Sequence, residues 1–406
     1  MSDKVISHRL PHLSVSSEPT PLGLYIHWPF CLSKCPYCDF NSHVVTQIDE
    51  AAWQTALIAE LEHMARLSET SSYGKRPLHS IFIGGGTPSL MPTPVLHAVI
   101  EKAEMIFGFV PDIEITAEAN PTSVETEKLK GFYEAGVNRL SLGVQALDDK
   151  ALHFLGRGHN SQEALKALEK ARQLFDRLSI DLIYGRKDQT ATDWHEELSQ
   201  ALSFELDHLS LYQLTIEPGT QFFTRARKGE VLSLDDDEMA DLYHITETQT
   251  ALHHLTNYEV SNYATQKGQS RHNLIYWRSH DWLGIGPGAH GRLTKDKGRL
   301  ETVTRRSPQG WLSQVSAQSH AIDSQQLDTG TAVIEEIMMM GLRLAEGVPL
   351  SRLSALQDTS AGWPFEARYI EQFVEAGWLD VTKTHMKASF EGRLRLNYML
   401  QALLAS

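Results

Sequence analysis

All three cysteines of this 406-residue chain stand in one short stretch, Cys31, Cys35 and Cys38, spaced C-x3-C-x2-C. Three thiolates on one loop can hold three irons of a cubane 4Fe–4S cluster. With no further cysteine in the chain, the fourth iron is left without a thiolate. Ferredoxin-type electron carriers use four cysteines per cluster, so an open iron points to binding and reaction rather than electron storage. A disulfide would strand one thiol, and cysteines this sparse do not suggest an oxidised, secreted scaffold. A zinc site of three cysteines plus His27 or His43 is the serious rival. Zinc sites usually come as two separated ligand pairs, however, whereas here the three thiolates share one loop.

The composition narrows the setting. The length fits one large α/β domain plus a smaller one, and 41% hydrophobic residues supply an ample core. A net charge of −14 argues against nucleic acid as the main partner, because phosphate binding needs a basic surface. Basic clusters such as Arg305–Arg306 and Lys383–Lys387 are short and read as solvated surface. The first twenty residues hold no apolar core of signal-peptide length and are broken by Pro11 and Pro19, with Pro21 just beyond. No run of about 18 apolar residues occurs, so a membrane-spanning chain is not expected. The expectation is a cytoplasmic protein, its oligomeric state undetermined and a homodimer allowed.

From Leu24 to about Pro218, short apolar strands alternate with helical spacing. The strand candidates are Leu24–His27, Ser80–Ile83, Ile113–Ala117, Arg139–Gly143, Ser179–Tyr184 and Leu209–Leu214. Trp53, Leu57, Leu61 and Met64 mark a helix face; Thr122 with Glu125 and Thr190 with Asp193 match capping boxes. About six βα units in succession imply a parallel sheet closed or partly closed into a TIM-type barrel, with a doubly wound open sheet as the alternative. In such folds chemistry gathers at the carboxyl ends of strands. The cysteine loop, Gly84-Gly85-Gly86-Thr87-Pro88, Glu118–Pro121, Gln145 and Asp181 all fall there.

A long helix is expected from about Asp236 to Leu255, followed by Tyr258–Tyr263, His272–Trp277 and the glycine-rich Gly284–His290. The expected organisation is a flexible segment 1–20, a barrel with its extension over 21–300, an irregular Ser/Gln-rich connection over 301–330 and a small, mainly helical domain over 331–406. In the last, Ile334, Ile337, Met338 and Leu342 share a face, as do Leu396, Met399, Leu400 and Leu403. Trp378–Phe390 between them reads as a small hairpin, giving a winged-helix-like unit without a basic recognition face.

Tyr25-Ile26-His27-Trp28-Pro29-Phe30-Cys31, the C-x3-C-x2-C spacing and Gly84–Pro88 together resemble the radical S-adenosylmethionine superfamily. Over nearly the whole chain the resemblance extends to the branch holding oxygen-independent coproporphyrinogen III oxidase and its haem-chaperone relatives. It implies that the open iron chelates the amino and carboxylate groups of S-adenosylmethionine and that one electron cleaves the sulfonium bond. Glycines at Gly84, Gly85 and Gly86 let backbone carbonyls approach the amino group. Tyr25, Tyr37, Thr87, Glu118, Gln145, Arg157 and Asp181 fall where the related oxidase contacts S-adenosylmethionine. Carboxylates suit the ribose hydroxyls and the ammonium; Arg157 suits a carboxylate. Taken singly, Glu118 or Asp181 would more often be a capped turn or a surface pair.

Within the branch, the sequence leans toward the haem chaperones. The oxidase has another cysteine two positions after the third; here that position is Phe40, within Cys38-Asp39-Phe40-Asn41-Ser42. Cys31 is preceded by thirty residues, where the oxidase has a substantial arm. His272-Asn273-Leu274-Ile275-Tyr276-Trp277 fits the chaperones' H-N-x-x-Y-W signature, which implies haem binding through His272 with Tyr276 and Trp277 as a flat apolar wall. With 19 histidines in the chain, His272 alone means little, and His290 is the competing ligand. The resemblance therefore implies a 4Fe–4S cluster, S-adenosylmethionine and haem as cofactors, with delivery of haem to respiratory haem proteins, membrane-bound recipients included. The alternative is coproporphyrinogen III dehydrogenation. One departure stands out: the family continues Gly185 with Leu-Pro-x-Gln, and here stand Arg186-Lys187-Asp188-Gln189, expected to loosen the turn and add two cations to the rim.

Overall fold

The structure, a computed structural model, describes residues 19–45, 47–296, 298–354 and 367–404. The expected segment 1–20 therefore lies outside it except for Pro19 and Thr20. Six parallel strands lie side by side in chain order: β1 (Leu22–Trp28), β2 (Leu78–Gly85), β3 (Phe109–Ala119), β4 (Arg139–Gln145), β5 (Arg177–Tyr184) and β6 (His208–Gln213). Each coincides with a strand expected from the alternation. The crossovers carry α1 (Glu50–Glu69), α2 (Thr93–Phe107), α3 (Ser123–Glu134), α4 (Ser161–Arg172) and α5 (Ala191–Leu202). Because the strand order never reverses, right-handed crossovers lay all their helices on one face. A doubly wound sheet requires a reversal, so that alternative is excluded.

The sheet curls. Laid flat, β1 and β6 would stand about 24 Å apart at the usual strand spacing. Yet the loop after β1 and Tyr212 and Gln213 of β6 line one cavity. The outer face is apolar: Leu22, Leu24, Ile26 and Trp28 of β1 share a core with Trp53, Leu57, Leu61 and Met64 of α1. The inner face is polar, with Glu114, Thr116, Ser179 and Ser210 all buried. This inside-polar pattern gives each strand its period-2 signal.

Beyond β6 the sheet continues with the antiparallel hairpin β7 (Thr256–Glu259) and β8 (Asn262–Ala264). At the other edge, β9 (Asp281–Ile285) pairs parallel to β1, and β10 (His290–Lys295), β11 (Gly298–Thr304) and β12 (Ile322–Asp328) follow antiparallel, giving a sheet of twelve strands among the described residues. Residues 301–330 are thus not an irregular connection. Strand β12 is polar because it is an exposed edge, and the helix Pro308–Gln318 buries Trp311 and Val315. Trp311 stacks on Trp53 at 4.9 Å. The buried Glu60 carboxylate of α1 pins this segment, accepting from the amides of Gly286 (2.8 Å) and Ala321 (2.9 Å) and from Trp311 Nε1 (2.8 Å).

Helix α6 (Asp236–Leu252) starts with a capping box from Asp235 and Glu238 and ends short of Leu255, where His254 takes φ 60°. Thr190 and Asp193 form the expected capping box. Thr122 caps α3, but the Glu125 side chain turns to the Asn120 amide (2.8 Å) and Ser89 instead of closing the box. A separate core holds the C-terminal unit: the faces of Ile334, Ile337, Met338 and Leu342 and of Leu396, Met399, Leu400 and Leu403 meet in it. The expected hairpin is there as Leu379–Val381 paired with His385–Ala388, and Val348–Pro349 adds a third strand.

Candidate cofactor site

The cysteine loop leaves β1 and folds over the carboxyl end of the barrel. Its return is fixed by a two-residue ladder between Phe30–Cys31 and His43–Val44 and by the Cys38 amide on the Cys35 carbonyl (3.2 Å). Asn41 anchors the loop to the segments after β9 and β11, donating to the carbonyls of Pro287 (2.9 Å) and Arg306 (3.0 Å). Both candidate zinc histidines are spent on this scaffold. The ring of His27 is bonded to the Tyr25 hydroxyl and the Asn41 carbonyl, each at 2.9 Å, and His43 Nε2 to Asn41 Oδ1 at 3.2 Å. Among the described residues, no three His, Cys, Asp or Glu side chains converge on one ion. The donor set suits a cluster, in which each cysteine takes its own iron.

The end of β2 touches this loop. The amides of Gly86 and Thr87 donate to the carbonyls of Trp28 and Phe30, each at 2.8 Å, and Thr87 Oγ1 lies 3.3 Å from Cys31 Sγ. Gly85 adopts φ +120°, and a Cβ on Gly86 would stand 2.8 Å from the Phe30 oxygen and 2.9 Å from Cys31 Sγ. Only glycine permits that approach. Burial pushes the thiols of Cys31 and Cys38 up. Iron would reverse this, since a coordinating thiol is deprotonated outright.

Beside the cysteines opens a cavity of about 460 Å³. It is lined by Tyr37, Gly86, Thr87, Glu118, Gln145, Arg157 and Asp181 together with all three cysteines, so the structure brings most of the expected set together. Tyr25, Gly84 and Gly85 flank the cavity without lining it. Arg157 reaches across the mouth: Nη1 stands 3.4 Å from both Cys35 Sγ and the Tyr37 hydroxyl, while Nη2 donates to Asn120 Oδ1 and to the Gly143 carbonyl (3.0 Å). Its Nε is buried without a partner, and among the described residues no carboxylate pairs with it. A ligand carboxylate would meet that need. Deeper, burial and the nearby Asp181 push the Glu118 carboxyl up to about 8. Burial raises Asp181 too, although Ser141 Oγ donates to it at 3.0 Å.

Sequence reasoning placed Asn120 at this rim without giving it a role and missed Gly143, His159, Tyr212 and Gln213; all of them line the cavity. Asn120, Tyr212 and Gln213 stand at carboxyl ends of strands, the same signal that found Glu118. The Arg186–Gln189 departure is no loosened turn. Gln189 Oε1 accepts from the Gly185 amide (2.7 Å), the Lys187 amide donates to the Leu232 carbonyl (3.0 Å), and the buried Arg186 pairs with Glu197 at 2.6 Å. One expected rim cation is thus a neutralised core residue, and only Lys187 reaches solvent.

The haem candidates lie elsewhere. Helix α7 (Arg271–Trp277) runs beneath the barrel as its floor, its first amides capped by Glu114: the amides of Arg271 and His272 each donate at 3.0 Å. Burial alone would raise Glu114, but Arg139, Arg177 and these amides outweigh it and hold the carboxyl below its ordinary value. His272 is fully buried, with Nδ1 on Ser80 Oγ at 2.8 Å and Nε2 on the Tyr276 hydroxyl at 2.7 Å; neither nitrogen is free in this arrangement. Trp277 instead lines a second cavity on the underside of the floor. His290 lies on the outer sheet, 3.6 Å from Glu301.

Fold and site together define a radical SAM protein. Residues 25–201 match the Radical SAM superfamily and residues 328–395 the HemN C-terminal domain. The chain is 36% identical over 388 residues to the heme chaperone HemW of Escherichia coli (strain K12), covering 95% of this chain and 98% of that one. It is 35% identical over 401 residues to the mitochondrial radical S-adenosyl methionine domain-containing protein 1 of Mus musculus, covering 96% and 89%. Coproporphyrinogen III oxidase (HemN) from Escherichia coli shares the fold, with a TM-score of 0.77 at 22% identity over 95% of this chain and 90% of that one. The chain belongs to the HemW branch of the radical SAM superfamily.

Proposed function

We propose that this protein is a haem chaperone that carries a 4Fe–4S cluster on Cys31, Cys35 and Cys38, binds S-adenosylmethionine beside it, and passes haem to respiratory haem proteins from the cytoplasm. The observation that carries the reading is the joint lining of one cavity by the three cysteines, Gly86–Thr87 and Arg157. When bound, the cluster supplies an open iron and one electron at the sulfonium centre. Arg157 supplies a fixed guanidinium for the methionine carboxylate. Glu118 and Asp181 offer acceptors for the ribose hydroxyls, and Glu118 holds a proton at neutral pH that it can donate. The exposed Phe40 stands two positions after the last cysteine, so the loop offers no further thiolate there. Among the described residues no helix is long and apolar enough to cross a membrane, which suits a carrier that visits membrane-bound recipients.

Anaerobic reconstitution tests the cluster. The wild type should hold about four irons and four acid-labile sulfides per chain; single Cys→Ala variants at 31, 35 and 38 should lose most of both. Haem titration and transfer to an apo-cytochrome test the chaperone role. Protoporphyrinogen formed from coproporphyrinogen III, S-adenosylmethionine and reductant would replace the chaperone by the dehydrogenase.

A further inference from the structure

The second cavity measures about 690 Å³, within the range of sites that enclose cofactor-sized ligands. It lies where the floor helix and the β9–β11 edge meet the C-terminal unit. Its apolar walls are Val333, Ile337 and Val348 from the C-terminal unit, facing Trp277 and Tyr73. Its lining runs against the chain's −14: among the described lining residues, Lys295, Arg278, Arg299 and Arg352 outnumber Asp296 and Glu346. Arg278 is spoken for by Glu346 (2.7 Å) and Arg299 by Glu336 (3.0 Å). Arg352 donates to the Ser279 carbonyl, and among the described residues no carboxylate pairs with it. A guanidinium drawn out of water without an anion is costly, and a ligand carboxylate relieves that cost.

His280 completes the site. Its ring lines the cavity, and among the described residues no hydrogen bond reaches either nitrogen, in contrast to His272. Burial first, then Arg352, Arg278, Arg299 and Arg76, push its pKa down to about 3, so the imidazole is neutral with a lone pair available. A neutral imidazole is a natural axial ligand for haem iron.

We propose that this underside cavity holds the carboxylated tetrapyrrole, with His280 on the iron and Arg352 on a propionate. The proposal rests on the haem reading above and assigns its cargo to a place distinct from the cluster cavity.

Haem and metal-free protoporphyrin are titrated into cluster-loaded wild type and into His280→Ala, Arg352→Gln and the cavity-filling Ser351→Trp. Folding is checked by circular dichroism and cluster integrity by iron content. His280→Ala should shift the Soret band and weaken haem about tenfold, leaving metal-free protoporphyrin unchanged. Arg352→Gln should weaken both ligands about tenfold, a loss of the size expected for one charge-assisted bond, with the Soret position kept. Ser351→Trp should exclude both. Folded variants that all bind haem with wild-type affinity and spectrum overturn this cavity while leaving the chaperone reading intact. A wild type that binds no haem overturns both.

Discussion

Glu114 is the residue on which the barrel floor depends. Its carboxylate accepts the first two amides of α7, and Arg177 pairs with it at 2.6 Å. Glu114→Ala leaves those amides without their acceptor and Arg177 without this carboxylate, held by the Gly268 and Gln269 carbonyls, and should cost about 3–5 kcal/mol in denaturant unfolding. Glu118 sets a pH dependence. Its folded value near 8 lies above the ordinary 4.5, so the folded state binds the extra proton. The ligand-free protein should therefore lose stability as pH rises from about 4.5 to 8, at up to about 1.4 kcal/mol per unit of separation. Glu118→Gln should flatten the profile between pH 5 and pH 8; an unchanged slope would mean the carboxyl ionises normally. At this scale the cysteines were legible from their spacing and Glu118 from its place at a strand end, whereas Arg157, between two crossover helices, was legible only through the family resemblance. That His272 is locked on Ser80 and Tyr276 was not, since both contacts depend on the packing of the floor.

Among elements, the turn after β5 tests how a family pattern can change without loosening. Arg186→Leu leaves the buried Glu197 without this cation, the Leu147 amide and Gln189 still donating to it, and should cost about 3–5 kcal/mol, whereas Arg186→Leu with Glu197→Leu should recover part of it. Thermal melts of the two variants decide whether the pair or the backbone pairing to Leu232 holds the turn. The cysteine loop makes a different demand on β2. Gly86→Ala drives a methyl against Cys31 Sγ, so the chain should fold but retain little iron after reconstitution. Strands and crossovers were legible from their period-2 and helical spacing. Residues 301–330 were not: β12 is polar because it is an edge, and the anchor of Trp311 is Glu60, 251 residues away.

For the molecule as a whole, two cores meet across charged side chains rather than a shared apolar interior. Glu336 of the C-terminal unit reaches Arg299 at 3.0 Å and Arg292 at 3.5 Å from the barrel. Glu336→Ala leaves the buried Arg299 without its carboxylate, while Arg292 keeps Glu301 at 2.9 Å, and should split a single calorimetric transition into two, the C-terminal unit melting first. One transition at the wild-type temperature would show that the apolar contacts suffice. The sheet's direction of winding was legible from six units in succession; the choice between open and curled forms needed the cavity shared by β1 and β6. Between that cavity and the one beneath lies the short helix α7, with its buried His272–Tyr276 pair. It acts as a bulkhead: on the proposed reading, a porphyrin lodged below would be walled off from the cysteine-lined cavity above, so one chain could keep an oxidisable passenger apart from its proposed cluster.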